Sequence, residues 1–267
     1  MPKGPPERPG FRDWVDKQVE PNWPLLPLTH ITKGLVAEDI VRSGRIEPVS
    51  GSAFKQPLAY FFYGRAGYRV SGEKTINLAA ASPYCFVFKP ELIRRAWRIF
   101  AFDTGAFHKR LFSHVLPDEI NVGDFSLERD EDRPNKLISA VFGRLYEYFK
   151  GDRSAVRPAS DISDPWDLLV EAYVKLLTSP GRNEPDDRIC SIEVTFSDPV
   201  LLSDHLQAII VPHTMWRDGR GAPWLEQLKA SNVEIRTYEF IPGRSPAEYQ
   251  SLMELELGSL FHEQSYL

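Results

Sequence analysis

Cysteine is scarce: Cys85 and Cys190 are the only two in 267 residues. That is too few for a disulfide scaffold or a multi-cysteine zinc site. Both sit among apolar residues, so buried, reduced thiols are expected. No apolar run approaches the ~18 residues that a membrane-crossing helix needs. The opening MPKGPPERPG has no apolar core and does not read as a secretory signal. A cytoplasmic location with no membrane partner is expected. Basic charge is not in excess: 32 Lys and Arg stand against 37 Asp and Glu, a net charge of -5. No global field therefore draws nucleic acid. The P-loop, GxGxxG, GxSxG and HExxH signatures are missing. The six histidines are scattered, and His108 and His114 are not at ligand spacing on one helix face, so no metal is expected. Asp103-Thr104-Gly105 has the letters of an aspartic-protease triplet. Those enzymes pair two aspartates, and the chain has one such triplet.

What is present is an ordinary globular composition, 42% hydrophobic, 26% charged and 12% aromatic, enough for one large or two small domains. Pro2, Pro5, Pro6, Pro9, Pro21 and Pro24 crowd residues 1–24. Dense proline removes donors and blocks helix and sheet. A tail, disordered or wrapped over the surface, is expected there, with Phe11, Trp14 and Trp23 able to pin it. Residues 25–267 show no repeat and no long linker, so they read as a single domain.

Within that body, LLPLTHIT (25–32), PLAYFFY (57–63), YCFVFK (84–89), RIFAF (98–102), CSIEVTF (190–196), QAIIV (207–211) and VEIRTYEF (233–240) predict strands. Leu35, Val36, Ile40 and Val41 predict a helix that Gly44 stops. One long amphipathic helix is expected over 135–150, with Leu137, Ile138, Val141, Phe142, Leu145, Tyr146 and Phe149 on its stripe. Further helices are expected over 166–177, 223–230 and 245–260, with a loop over 157–164. Helices do not follow every strand, so the class is α+β rather than doubly wound.

Four segments join polar groups to strand ends: Thr29–Thr32, Tyr60–Tyr68, Phe102–Phe107 and Ser191–Val194. Each alone has a bland reading. His30 suits a core histidine with a backbone partner. Arg65 suits a side chain bonding turn carbonyls. Asp103 is a good turn residue. Glu193 alternates with Ile192 and Val194, so it points to the opposite sheet face, which is the solvated face in a bland reading.

Taken in this order, the segments resemble the ADP-ribosyltransferase fold, and most of all the DarT-type DNA ADP-ribosyltransferase toxins. His30-Ile31-Thr32 is similar to the family's opening His-Ile/Met-Thr-His, and Tyr60–Arg65 to its aromatic strand ending in arginine. Phe102–Phe107 is similar to its Thr-Asp-Gly-Asn-Ala, and Arg188–Val194 to the strand of the catalytic glutamate. Val233–Phe240 corresponds to its final strand. The resemblance covers about residues 25–241. Lys33 replaces the second histidine of the opening motif, Ala-Gly-Tyr follows Arg65 in place of Ser-Pro-Met, and Ser-Ile precedes Glu193 in place of Gln-Ala.

The resemblance implies a split mixed β-sheet core with flanking helices, and NAD as co-substrate without a metal. ADP-ribose would pass to a nucleic-acid base of DNA or RNA, as in a toxin or phage-defence effector. The implied partners are NAD, a single-stranded nucleic acid and an antitoxin. Glu193, Arg65 and His30 are the implied catalytic residues. His30, Thr32, Tyr60, Tyr63, Tyr68, Asp103 and Thr104 are the implied NAD-binding residues. Positive charge develops on ribose as the nicotinamide bond breaks, and a carboxylate stabilises it and takes the acceptor's proton. That role falls to Glu193. His30 would bond ribose hydroxyls, and Arg65 would meet the pyrophosphate or orient the acceptor. Tyr60, Tyr63 or Tyr68 would stack on nicotinamide, while Asp103 and Thr104 line the cleft or form only a turn. Lys89, Arg94, Arg95, Trp97 and Arg98, with Lys109 and Arg110, form a local basic strip or a solvated face. Three alternatives stay open: transfer to a protein side chain, an inactive binding domain, and a hydrolase using Asp103 with Glu193.

Overall fold

Short aromatic and β-branched runs supply the strands of one mixed sheet. The computed structural model describes Arg8 and residues 10–51, 54–67, 75–179 and 187–267. Eight strands form the sheet: β1 (Leu28–Lys33), β2 (Ala59–Tyr63), β3 (Pro83–Phe88), β4 (Arg98–Phe100), β5 (Ser126–Glu128), β6 (Glu193–Phe196), β7 (Leu206–Pro212) and β8 (Glu234–Tyr238). Their order is β8-β7-β3-β1-β2-β6-β4-β5. Only β7 and β8 run parallel. With helices around it, the sheet makes an α+β architecture. β5 is a strand that the sequence pattern did not announce.

The sheet divides near its middle. β1 pairs β3 along its whole length, from Leu28↔Phe88 to Lys33↔Pro83. β2 pairs β6 from Ala59↔Phe196 to Phe62↔Glu193. Between β1 and β2 the ladder holds only Leu28↔Tyr63 and Thr29↔Phe62. Beyond Thr29 the two strands part.

Two cores lie on the two faces. Leu28, Phe61, Phe86, Val194 and Ile209 belong to the larger one. Cys85, Val87, Ala208 and Ile210 face the smaller one, filled by Tyr249, Met253 and Leu257 of the C-terminal helix Pro246–Glu263. Both cysteines are buried, and they are not joined in a disulfide. No helix among the described residues is long and apolar enough to cross a membrane.

Four local expectations need correction. The N-terminal segment contains a helix, α1 (Gly10–Asp16), bracketed in sequence by Pro9 and Pro21 rather than interrupted by them. It is wrapped on the body: Phe11 is fully buried against Phe125 and Tyr173, and the Trp14 indole donates to the Ile162 carbonyl at 2.9 Å. Arg8 adds an ion pair to the buried Asp124 carboxylate at 2.7 Å. In α2 (Gly34–Ser43) the buried side is Ala37, Ile40 and Val41, while Leu35 and Val36 are exposed. Gly44 does end it, in the left-handed region at φ 71°.

The single helix expected over 135–150 is two. With α3 being Thr104–His108, these are α4 (Arg133–Val141) and α5 (Leu145–Lys150). Gly143, at φ 76°, breaks the chain between them. The break resets the helical phase, so Tyr148 faces the core and Tyr146 faces solvent, the reverse of a continuous stripe. Finally, the expected loop over 157–164 holds a one-turn helix, Ala159–Ile162.

Candidate functional site

Glu193 opens β6 and is buried, at 2% exposure. Its register partners Phe62 and Phe100 put its side chain on their face of the sheet. Thr104 holds the carboxylate twice. Its hydroxyl donates to one oxygen at 2.6 Å and its backbone N–H to the other at 3.3 Å. Thr104 is itself fixed because Asp103 caps α3, accepting the Ala106 N–H at 2.9 Å. Asp103-Thr104 is therefore both a helix start and a clamp on Glu193. Tyr60 lies beside this cluster, half-buried. Burial pushes its phenol up to about 12, and the nearby charges of Glu193 and Asp103 add to the effect.

His30 sits where the β1–β2 ladder has ended. Its Nδ1 is 2.9 Å from the Tyr60 carbonyl. A carbonyl only accepts, so Nδ1 carries the proton and bridges the parted strands in place of a ladder bond. Burial lowers the imidazole's pKa, an effect partly countered by that bond, so the neutral ring is favoured. Nε2 is then an acceptor. His30 pairs with Phe86 and its ring lies 5.2 Å from that of Phe61. Register therefore sets His30 on one face and Glu193 on the other. Tyr60 links them: its carbonyl takes His30 and its ring neighbours Glu193. Thr32 lies half-buried on the His30 face, opposite Tyr84.

Arg65 follows the left-handed Gly64 (φ 63°) and is 2% exposed. Thr29 donates to its backbone carbonyl, and Gln250 of the C-terminal helix donates to the carbonyl of Ala66. The turn is thus held from two sides. The guanidinium rests 5.7 Å from the Tyr148 ring centre. Its Nε and Nη1 have no hydrogen-bond partner among the described residues. Gly151 makes room for it, since a Cβ there would stand 2.5 Å from Nη2. Tyr148 also ties this pocket to the Glu193 strand, because its hydroxyl accepts the Ile192 N–H at 3.1 Å and donates to the Tyr63 carbonyl at 2.6 Å. Sequence reasoning missed Tyr148 and Gly151. A tyrosine off the expected apolar stripe and a glycine after a helix carry no sign of an arginine many residues away.

Other expected site residues stand elsewhere. Tyr63 is fully buried. Its hydroxyl accepts the Leu26 N–H and donates to Asn135, both at 3.0 Å, and that leaves no face for a ligand. Tyr68 lies outside the described residues. Three arginines of the basic strip are paired: Arg94 meets Glu131 at 2.6 Å, Arg95 meets Asp204 at 3.7 Å, and Arg98 meets Glu128 at 3.8 Å. No group of three or more His, Cys, Asp or Glu side chains suited to a metal occurs among the described residues.

Comparisons of the chain with protein-family models, with curated proteins and with solved structures find no match.

Proposed function

We propose that the chain is an NAD-dependent ADP-ribosyltransferase, built on a split ADP-ribosyltransferase-like sheet, that transfers ADP-ribose to a nucleic-acid base. One observation carries the reading. Adjoining strand ends hold a buried carboxylate clamped by Thr104 and a buried guanidinium with two nitrogens unbonded among the described residues. NAD asks for that combination, an anionic pyrophosphate linked to a ribose that becomes cationic as it reacts.

Arg65 is the group for the pyrophosphate. Burying an unpaired charge costs several kcal/mol, and an anion that pairs with it offsets part of that cost. A neutral His30 offers Nε2 to a ribose hydroxyl. The Tyr60 ring, which neighbours Glu193, is the ring for the nicotinamide end on this reading. His30 and Glu193 lie on opposite faces of the sheet and are linked through Tyr60, whose carbonyl takes His30 and whose ring neighbours Glu193. In the reaction the bond between ribose C1′ and the nicotinamide nitrogen breaks, and its electron pair leaves with nicotinamide. A base nitrogen bonds C1′, and its proton passes to Glu193.

The hydrolase alternative is weakened because one Asp103 oxygen already caps α3. The test is nicotinamide release from NAD, and transfer of labelled ADP-ribose to mixed DNA, RNA and protein acceptors. Release that disappears in Glu193→Gln supports the proposal. Wild-type protein that releases no nicotinamide with any acceptor overturns it in favour of a binding domain.

A further inference from the structure

A cavity of about 230 Å³ opens at the far end of α3. Phe107, Phe112, Leu116 and Ile120 give it an apolar wall, and Arg110 and Asp118 stand at its mouth. Phe107 is half-buried and stacks on Phe102, with centroids 5.8 Å apart and planes 13° off parallel. Arg110 reaches Asp118 at 3.4 Å, both side chains well exposed. Arg110 holds the left-handed region at φ 57°, where a side chain is rarely found. Between Thr104, which clamps Glu193, and His108 on the cavity rim, α3 rises only about 6 Å.

The size decides what fits. Sites for drug-sized ligands run to ~300–1,000 Å³. This one is too small for a whole dinucleotide and large enough for one ring system. The mouth offers a donor and an acceptor side by side, which matches a flat heterocycle carrying an acceptor next to a donor. His108 and Lys109, both exposed, stand alongside for a phosphate; Asp118 and Glu119 offset part of that charge.

We infer that this cavity receives a nucleobase of the acceptor strand, stacked on Phe107 with its edge on Arg110 and Asp118. The inference rests on the transferase reading and names the part of the acceptor that is gripped beside the reacting base. Nicotinamide carries a similar edge, so the experiment separates the two sources.

The experiment is binding of the full chain to a fluorescent single strand of about 12 nucleotides of mixed sequence, and to an abasic strand of equal length. Phe107→Leu keeps the burial and removes the flat face. It should weaken the base-bearing strand about tenfold, the scale of one lost base–aromatic stack. It should leave abasic-strand binding and acceptor-free nicotinamide release at the wild-type level. Equal affinity of wild-type protein for both strands overturns the inference, as does undiminished binding by Phe107→Leu. Displacement of the strand by nicotinamide from wild type but not from the variant also overturns it, assigning the cavity to the leaving group. If Phe107→Leu melts early, Asp118→Asn replaces it. That surface change should alter the ranking of single-base homopolymer strands, and an unaltered ranking counts against the inference. A wild-type chain that shows the stacking pattern yet never releases nicotinamide sinks the transferase reading while leaving the base site standing.

Discussion

Arg94, Arg95 and Arg98 lie at or near the surface, and each meets a carboxylate. Arg65 is buried, and two of its three nitrogens have no hydrogen-bond partner among the described residues. Folding stability alone would arrange these the other way. An exposed cation is well solvated and gains little from a partner. A buried cation without one is costly, and the contact with Tyr148 returns only ~2 kcal/mol even when desolvated. On the proposed reading, the anion of NAD offsets that cost. Arg94, Arg95 and Arg98, by contrast, have their charge answered internally and have little left for a polyanion.

The largest expected effect falls on Glu193, across the strand ends from Arg65. Glu193→Gln keeps shape and one of the two bonds from Thr104 but loses the charge that a developing ribosyl cation needs. Nicotinamide release should fall ~100–1,000-fold, about 3–4 kcal/mol of transition-state stabilisation, with NAD affinity changed far less. A variant turning over at the wild-type rate removes Glu193 from the chemistry.

Next is Arg65→Met. Methionine fills the space of the stem and takes away the orphaned charge. Replacing buried charge by apolar volume is often neutral or stabilising by ~1–4 kcal/mol. Thermal melts should therefore show an unchanged or raised midpoint, by roughly 2–4 °C per kcal/mol in a chain of this size. NAD binding, followed by calorimetry, should be lost in the same variant. A lowered midpoint with NAD binding retained would make Arg65 a structural residue and end the contrast with the strip.

These contrasts were only partly visible in the sequence. Most sheet strands were legible, because aromatic and β-branched runs between turn residues have few other solutions. Glu193 and Thr104 were both singled out, yet their bond was not, since it joins residues far apart in sequence. The opposed faces of His30 and Glu193 follow from register across three strands, and no one segment contains register. Gly143 had the opposite difficulty. Apolar residues continue on both sides of it, so the pattern read as one helix while the backbone turned left-handed between two. The same phase change hid Tyr148, the neighbour of Arg65. In the N-terminal segment, proline count outweighed Phe11 and Trp14, although the prolines flank the helix rather than enter it.

A smaller effect concerns His30 and pH. Its folded-state pKa is lowered, so the unfolded chain takes up this proton first as pH falls. The His30 contribution to stability is therefore full above the unfolded value near 6.5. It is lost progressively as pH drops from there toward the folded value. His30→Asn, whose amide can still donate to the Tyr60 carbonyl, should have a flatter stability profile than wild type across that window. Parallel profiles from denaturant melts would show that burial does not govern this ring.

The smallest expected effect, close to none, is at Arg95. Its guanidinium lies 3.7 Å from Asp204, with side chains 44% and 41% exposed. Such a pair gains little in high dielectric, orders two flexible side chains, and is screened by salt. Arg95→Gln should leave the melting midpoint unmoved in low and in high salt. It should also leave the salt dependence of oligonucleotide binding unchanged, because each phosphate contact removed would lower the slope by about 0.7 for a single strand. A reduced slope would mean that Arg95 leaves Asp204 for a phosphate when a strand arrives. The strip would then be a nucleic-acid surface after all, and internal pairing would be only its resting arrangement.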